Sequence, residues 1–192
     1  MTPIVRAKAI VTNPLAEWSR IEQESGDAAF LLSNYVAWLA LVPAACGFIG
    51  ASLIGTQAPG SAAVRAPMVD GLFGAIFGYV ETVATVLLLG LFIDLLAPVF
   101  GARREFDSAF KLAVYSYTPV WLTGIFLLLP GLRFLILIGF YGAYLLALGL
   151  PILMKSPPRQ TLRFAALIVF CAWALTYAAA AAQRAIFGTV GL

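Results

Sequence analysis

The sequence predicts an all-α protein, a polytopic transmembrane bundle of five helices with a short amphipathic N-terminal helix ahead of it. Three observations carry that expectation. Hydrophobic residues make up 62% of the 192-residue chain and charged residues 11%, whereas an ordinary soluble domain is about 45–50% apolar and about 25% charged. The apolar residues also fall in blocks of about 20 or more, the length a helix needs to cross a hydrocarbon core of about 30 Å, and they do not alternate as barrel strands would. Finally, basic residues gather on one side of the blocks when the number of crossings is odd. A mean hydropathy of +0.96 fits one membrane domain rather than a soluble domain with an anchor.

Residues 1–29 form a mixed polar and apolar cytoplasmic segment. The weakly apolar stretch from Ile4 to Val11 carries Arg6 and Lys8 and makes a poor signal-peptide core. Asn13-Pro14 reads as an N-cap with proline at the first helical position, followed by Leu15, Trp18 and Ile21 against Glu17, Arg20, Glu22 and Glu24. That spacing makes a short amphipathic helix, whose apolar stripe lies on the membrane surface, packs under the bundle or simply leads into it.

The transmembrane domain covers residues 30–184. Its first span runs over 31–55, with Pro43 as a kink, and a Gly-, Ala-, Ser- and Pro-rich loop follows from Thr56 to Asp70. The second span, 71–96, ends before Pro98 and Gly101, and a polar turn leads to the third, 110–129. Pro130-Gly131 links this tightly to the fourth span, 132–154, and Pro157-Pro158 breaks the chain before the fifth, 162–182. Residues 185–192 are left as a non-cytoplasmic tail. No internal repeat is visible, so the inverted-repeat plan of many secondary transporters is not supported.

Orientation follows from lysine and arginine, which are retained on the cytoplasmic side of a span. With five spans, Arg6, Lys8, Arg20, Arg103, Arg104, Lys111, Lys155, Arg159 and Arg163 share one side, and Arg65, Arg133 and Arg184 the other, nine against three of the 12 basic residues. The N-terminus is therefore expected in the cytoplasm and the C-terminus outside it. A net charge of +3 calls for no nucleic-acid partner, because the basic clusters face an anionic leaflet.

Glu81 is the one acidic residue deep in a span, ten residues after Gly71 and so about 15 Å along a helix, near the midplane. An acidic residue there costs about 2.5–3.5 kcal/mol on insertion scales, so it should be protonated, paired or turned toward a polar cavity. At 100° per residue Gly71, Gly74, Gly78, Glu81 and Thr85 share one narrow stripe, and Gly74 to Gly78 is a small-xxx-small motif that lets another helix approach. Glu81 is then either a proton or headgroup site or a protonated carboxyl bonded to a neighbouring helix. Asp94, at the cytoplasmic end, is explained by pairing with Arg103 or Arg104 or by hydration at the interface. In the third span Tyr115, Thr118, Pro119 and Leu122 share a face, and Pro119 kinks the helix by removing a backbone donor. Trp38, Trp121, Trp173, Tyr141 and Tyr144 read as packing residues or interfacial anchors.

Enzyme chemistry is hard to assemble from this inventory. There is no histidine, hence no Ser-His pair, and no dinucleotide or P-loop pattern. Cys46 and Cys171 lie in apolar blocks and read as buried, inert thiols. No catalytic residue, cofactor or metal site is assigned.

Five spans, the segment Asn13-Pro14-x-x-x-Trp18, and the run Phe106-Asp107-Ser108-Ala109-Phe110 leading to Tyr115-Ser116-Tyr117-Thr118-Pro119 resemble the Yip domain family. Those are Ypt/Rab-interacting membrane proteins and their bacterial relatives. The similarity runs from about Asn13 to the fifth span, and the family's Tyr-x-x-x-Pro element maps onto Tyr115 and Pro119. Eukaryotic members carry Asp-Leu-x-Gly-Pro before the first span; here Asp94-Leu95-Leu96-Ala97-Pro98 mimics it only loosely, after the second, which speaks against GTPase binding. The short, alanine-rich chain is more similar to the bacterial branch, and that implies a bacterial plasma membrane. The resemblance implies a non-enzymatic scaffold with membrane lipids and a membrane protein or a second copy as partners. The alternative is a small transporter, channel or lipid-handling protein using Glu81.

Overall fold

The computed structural model describes residues 2–24, 27–55 and 64–187, and among these the fold is all-helical, with no strand. Residues 56–63 of the expected loop and the last residues of the expected tail, 188–192, lie outside the described residues.

The chain begins with a helical hairpin. Helix α1, Pro3–Thr12, has no counterpart in the elements expected from sequence, and only Asn13 separates it from α2, Pro14–Gln23. Both start on proline, whose missing N–H is harmless in a first turn. Asn13 stands at the N-cap of α2, but its side chain makes no capping bond. The buried face of α2 is Glu17, Trp18 and Ile21, while Leu15 is exposed, so the predicted apolar stripe is displaced by a carboxylate. The hairpin lies along the bundle. Tyr141 Oη donates to the Val11 carbonyl at 3.1 Å near its tip, and Lys155 pairs with Glu22 at its open end.

Helix α3 spans Ala28–Ile54, and the Asp27 carboxylate caps it by accepting from the Phe30 amide at 2.8 Å. Its ladder is irregular. It widens to π-type bonding over Leu32–Val36 and Ile49–Ile54 and breaks at Ala40, one turn before Pro43, whose ring excludes a bond to the preceding turn. Helix α4, Met68–Leu96, tightens to a 3-10 turn over Ala97–Phe100 and is closed by Gly101 in the left-handed region. Helix α5, Phe106–Thr123, runs through Pro119 into a 3-10 turn over Gly124–Leu128. A second 3-10 stretch, Pro130–Phe140, leads into α6, Tyr141–Leu153. The last helix, α7, Pro158–Phe187, continues past the predicted end of the fifth span into the predicted tail.

Among the described residues, four helical stretches are long and apolar enough to cross a membrane: Ala28–Ile54, Met68–Phe100, Gly131–Leu153 and Pro158–Ala185. Helix α5, the third span expected from sequence, is not among them. It carries Asp107 and Lys111, yet it is the most enclosed helix, buried continuously from Ala109 to Ser116 and again at Thr118, Pro119, Trp121 and Thr123. Residues that face protein rather than lipid need not be apolar, so position in the bundle accounts for the lower hydropathy.

Of the glycines in the predicted stripe, Gly71 alone is closely packed, and the other tight approaches lie elsewhere. A Cβ on Gly78 would meet nothing within 4 Å, whereas on Gly74 it would make an ordinary contact of 3.7 Å with Gln183 Nε2 of the last helix, so the motif holds no close helix approach. Gly71 does abut α3, at Ser52 Oγ. The tight approaches join distant segments: at Gly90 a Cβ would lie 2.9 Å from the Phe110 ring, and at Gly149 2.8 Å from the Trp18 ring. Cys46 and Cys171 are free thiols and half-buried rather than fully buried.

Candidate functional site

The site is built on α5, where an α-helical pitch puts Tyr115, Thr118 and Pro119 on one buried face. Leu122, predicted to share it, is partly exposed. Tyr115 meets the Tyr35 ring of α3 edge-on, with centroids 5.0 Å apart, and the Trp18 ring of α2 at 6.2 Å. Tyr35 also shares a hydrogen bond of 2.9 Å with Thr118 Oγ1, which in turn donates to the Val114 carbonyl one turn back. One turn further, the fully buried Trp121 contacts Tyr35 and Tyr117 edge-on, and its Nε1 donates to Thr82 Oγ1 of α4 at 3.1 Å. Edge-to-face pairs contribute about 0.5–1.5 kcal/mol beyond their buried area. This column therefore ties α2, α3 and α4 to one face of α5.

Above Tyr115 lies a charge cluster contributed by the hairpin. Arg6 is buried, its guanidinium carbon 5.9 Å from the Tyr115 ring centroid, and it is ion-paired with both Glu17 and Glu24. Arg20 reaches the second Glu17 oxygen at 3.3 Å. Burial works against the Arg6 charge, but the hydrogen bond to Glu24 and the fields of Tyr115, Glu24 and Glu17 outweigh it and hold the guanidinium above its ordinary pKa. Lys111 of α5 is also buried and donates to the Glu24 carbonyl oxygen. Next to it opens a cavity of 360 Å³ lined by Ile21, Gln23, Glu24, Phe30, Leu31, Lys111 and Tyr115.

Among the described residues Glu81 makes no hydrogen bond to this assembly. It is half-buried on α4, and its carboxylate accepts from Thr85 of the same helix at 3.1 Å rather than from a neighbouring helix. Gly78, one turn before it, faces open space. Asp94 pairs with Arg104 at 3.2 Å, with its other carboxylate oxygen buried and unpartnered. The tryptophans and tyrosines divide: Trp121 is core, while Trp38, Trp173 and Tyr144 are exposed on the outside of the bundle. Sequence reasoning missed Arg6, Glu24, Tyr35, Thr82 and Lys111. The available signals were a tyrosine in the mostly apolar first span and two cations next to apolar runs, each needing a distant partner.

A family model for the Yip1 domain matches residues 8–182. The chain belongs to the Yip1 domain family. The match takes in the hairpin from Lys8 onward and all of the aromatic column on α5, and leaves Arg6 just outside it. Among curated proteins, the inner membrane protein YohC of Escherichia coli K12 is 27% identical over 159 residues, covering 81% of this chain and 82% of YohC. YohC of Escherichia coli O6:H1 (strain CFT073) gives the same figures, 27% over 159 residues. No solved structure matches the fold. With four helices of membrane-crossing length and a Yip1 domain, the chain is a multi-pass integral membrane protein.

Proposed function

We propose that this Yip1-domain protein is a non-enzymatic membrane scaffold or interaction partner of the bacterial inner membrane, serving membrane organisation or trafficking. It crosses five times, with α5 as the enclosed third span, the N-terminal hairpin on the cytoplasmic side and the C-terminus opposite. The nine-to-three asymmetry of basic residues supports that orientation, and the name of the YohC relatives supports the inner membrane. One observation carries the functional reading. The α5 face that carries Tyr115, Thr118 and Pro119 is filled from within by Trp18, Tyr35 and Arg6, which pack the Tyr115 ring and hold the Thr118 hydroxyl by a hydrogen bond inside the bundle. Such a site holds helices in register; it does not present reactive groups to a substrate. Partners then meet the outside of the bundle, where Ile76 and Val80 of α4 and Phe170 and Trp173 of α7 are exposed.

The test is photo-crosslinking in native membranes from residues placed at Ile76, Val80 and Phe170, followed by purification and identification of the adducts. A discrete cross-linked protein or a second copy of the chain is expected; adducts to lipid alone at all three positions would sink the scaffold reading. A second reading, a small transporter, channel or lipid-handling protein, is favoured by one feature. Glu81 is half-buried, bonded only to its own helix, beside the open space at Gly78.

A further inference from the structure

The cavity beside Lys111 has the chemistry of an anion site. Lys111 is 9% exposed and lines the cavity, and its ammonium donates once, to the Glu24 carbonyl oxygen at 2.5 Å. Among the described residues no carboxylate lies within ion-pair reach of it. The acidic groups around it are all engaged elsewhere. Glu17 is held by Arg6 and Arg20, Glu24 by Arg6, and Asp27 caps α3 at the Phe30 amide. Of the three cations here, Arg6 and Arg20 have carboxylate partners and Lys111 has none among the described residues. An ammonium this enclosed is costly without a counter-charge.

Gln23 and Glu24, the latter neutralised by Arg6, form the polar part of the remaining wall, and Ile21, Leu31 and Phe30 the apolar part. Ile21 is fully buried, Leu31 nearly so, and Phe30 turns 60% of its surface outward at the start of α3. Tyr115 supplies a ring at the base. A volume of 360 Å³ is within the range of about 300–1,000 Å³ typical of ligand pockets. Basic pockets between helices at the cytoplasmic end of a bundle suit phospholipid headgroups. We propose that this cavity binds the phosphate of an anionic phospholipid from the cytoplasmic leaflet, with Lys111 as its ligand and an acyl chain leaving past Phe30 and Leu31. The site bridges α2, α3 and α5, so the bound lipid pins the hairpin to the bundle.

The assignment to a leaflet rests on the proposed orientation; binding itself does not. The full chain purified in detergent is therefore titrated with phosphatidylglycerol, phosphatidylcholine and inorganic phosphate, reading bound adducts by native mass spectrometry and stability by thermal unfolding. Phosphatidylglycerol is expected to give one retained adduct and a raised Tm, with phosphatidylcholine weaker by roughly fivefold or more, as one basic residue near a headgroup provides. Lys111→Gln should abolish that preference. Because a variant at a buried position can fail to fold, Gln23→Glu, at an exposed rim residue, serves as the second variant; it should weaken phosphatidylglycerol binding while leaving the Tm without lipid unaltered. Equal retention of both lipids, or a preference that survives in both variants, overturns the proposal. Stabilisation by inorganic phosphate as large as that by lipid overturns the lipid assignment and gives the site to a soluble phosphate compound. A C-terminal topology reporter, scored separately, tells a failed orientation from a failed site.

Discussion

Replacing Glu17 by leucine should release the N-terminal hairpin from the bundle. The Arg6 and Glu17 side chains are 8% and 5% exposed, so the pair is shielded from water and little weakened by salt. Removing one partner of such a pair costs about 3–5 kcal/mol, chiefly because a buried charge is left uncompensated. Here Arg6 keeps Glu24, whose side chain is 42% exposed and already hydrated, which lowers the expected cost to about 2–3 kcal/mol. That is roughly a 30- to 150-fold rise in the undocked population. Trypsin reads it directly. Lys8 and Arg20 are exposed but sit in helices that must open before cleavage, so the cleavage rate follows the open fraction. Early cuts at these two sites should accelerate by that factor while the rest of the bundle resists. The double variant Arg6→Leu with Glu17→Leu should recover much of the resistance, because no unpaired charge remains. Cleavage of Glu17→Leu at the wild-type rate, or a double variant as labile as the single, would refute the reasoning.

Three further outcomes follow from the packing and the proposed topology. Gly149→Ala forces a methyl into the Trp18 ring and should cost about 1–3 kcal/mol in thermal unfolding; Gly78→Ala, facing open space, should be neutral or stabilising by up to about 1 kcal/mol. The reverse order would mean that the predicted small-xxx-small motif is the true contact. Tyr35→Phe removes the bond to Thr118 and should lower stability by about 1 kcal/mol, a loss absent when Thr118 is already valine. A periplasmic-type reporter fused after Leu192 should be active only outside the cytoplasm, and cytoplasmic activity would remove the five-span topology.

What could be read from the sequence was set by local pattern. Long apolar runs mark α3, α4 and α7 without reference to any partner, and Asp94 with Arg104 is a pairing ten residues apart across one turn. The hairpin was hidden because Arg6 and Lys8 break up a short apolar stretch, and Arg6 is neutralised only by Glu17 and Glu24, which the fold brings back to it. The glycine stripe illustrates the same limit. Spacing shows that Gly74 and Gly78 permit a close approach, but whether a helix is there depends on what lies opposite, and the chain uses Gly71, Gly90 and Gly149 for it. Helix α5 is the converse case: its polar residues lower its hydropathy because it sits at the centre, where Tyr115, Thr118 and Trp121 find partners from three other helices. Glu81 was visible as an isolated carboxyl, while its hydrogen bond to Thr85 follows from the i, i+4 geometry of its own helix.

Reading this bundle as a scaffold assigns Glu81 no role in moving a substrate, and the Glu81→Gln variant puts that to the test. Wild type and variant are reconstituted into liposomes for proton, ion and lipid flux, and each is purified from native membranes to compare stability and associated proteins. The account predicts matching melting temperatures, the same associated proteins and no flux that depends on Glu81. A flux carried by the wild type and lost in a normally folded Glu81→Gln variant would contradict it.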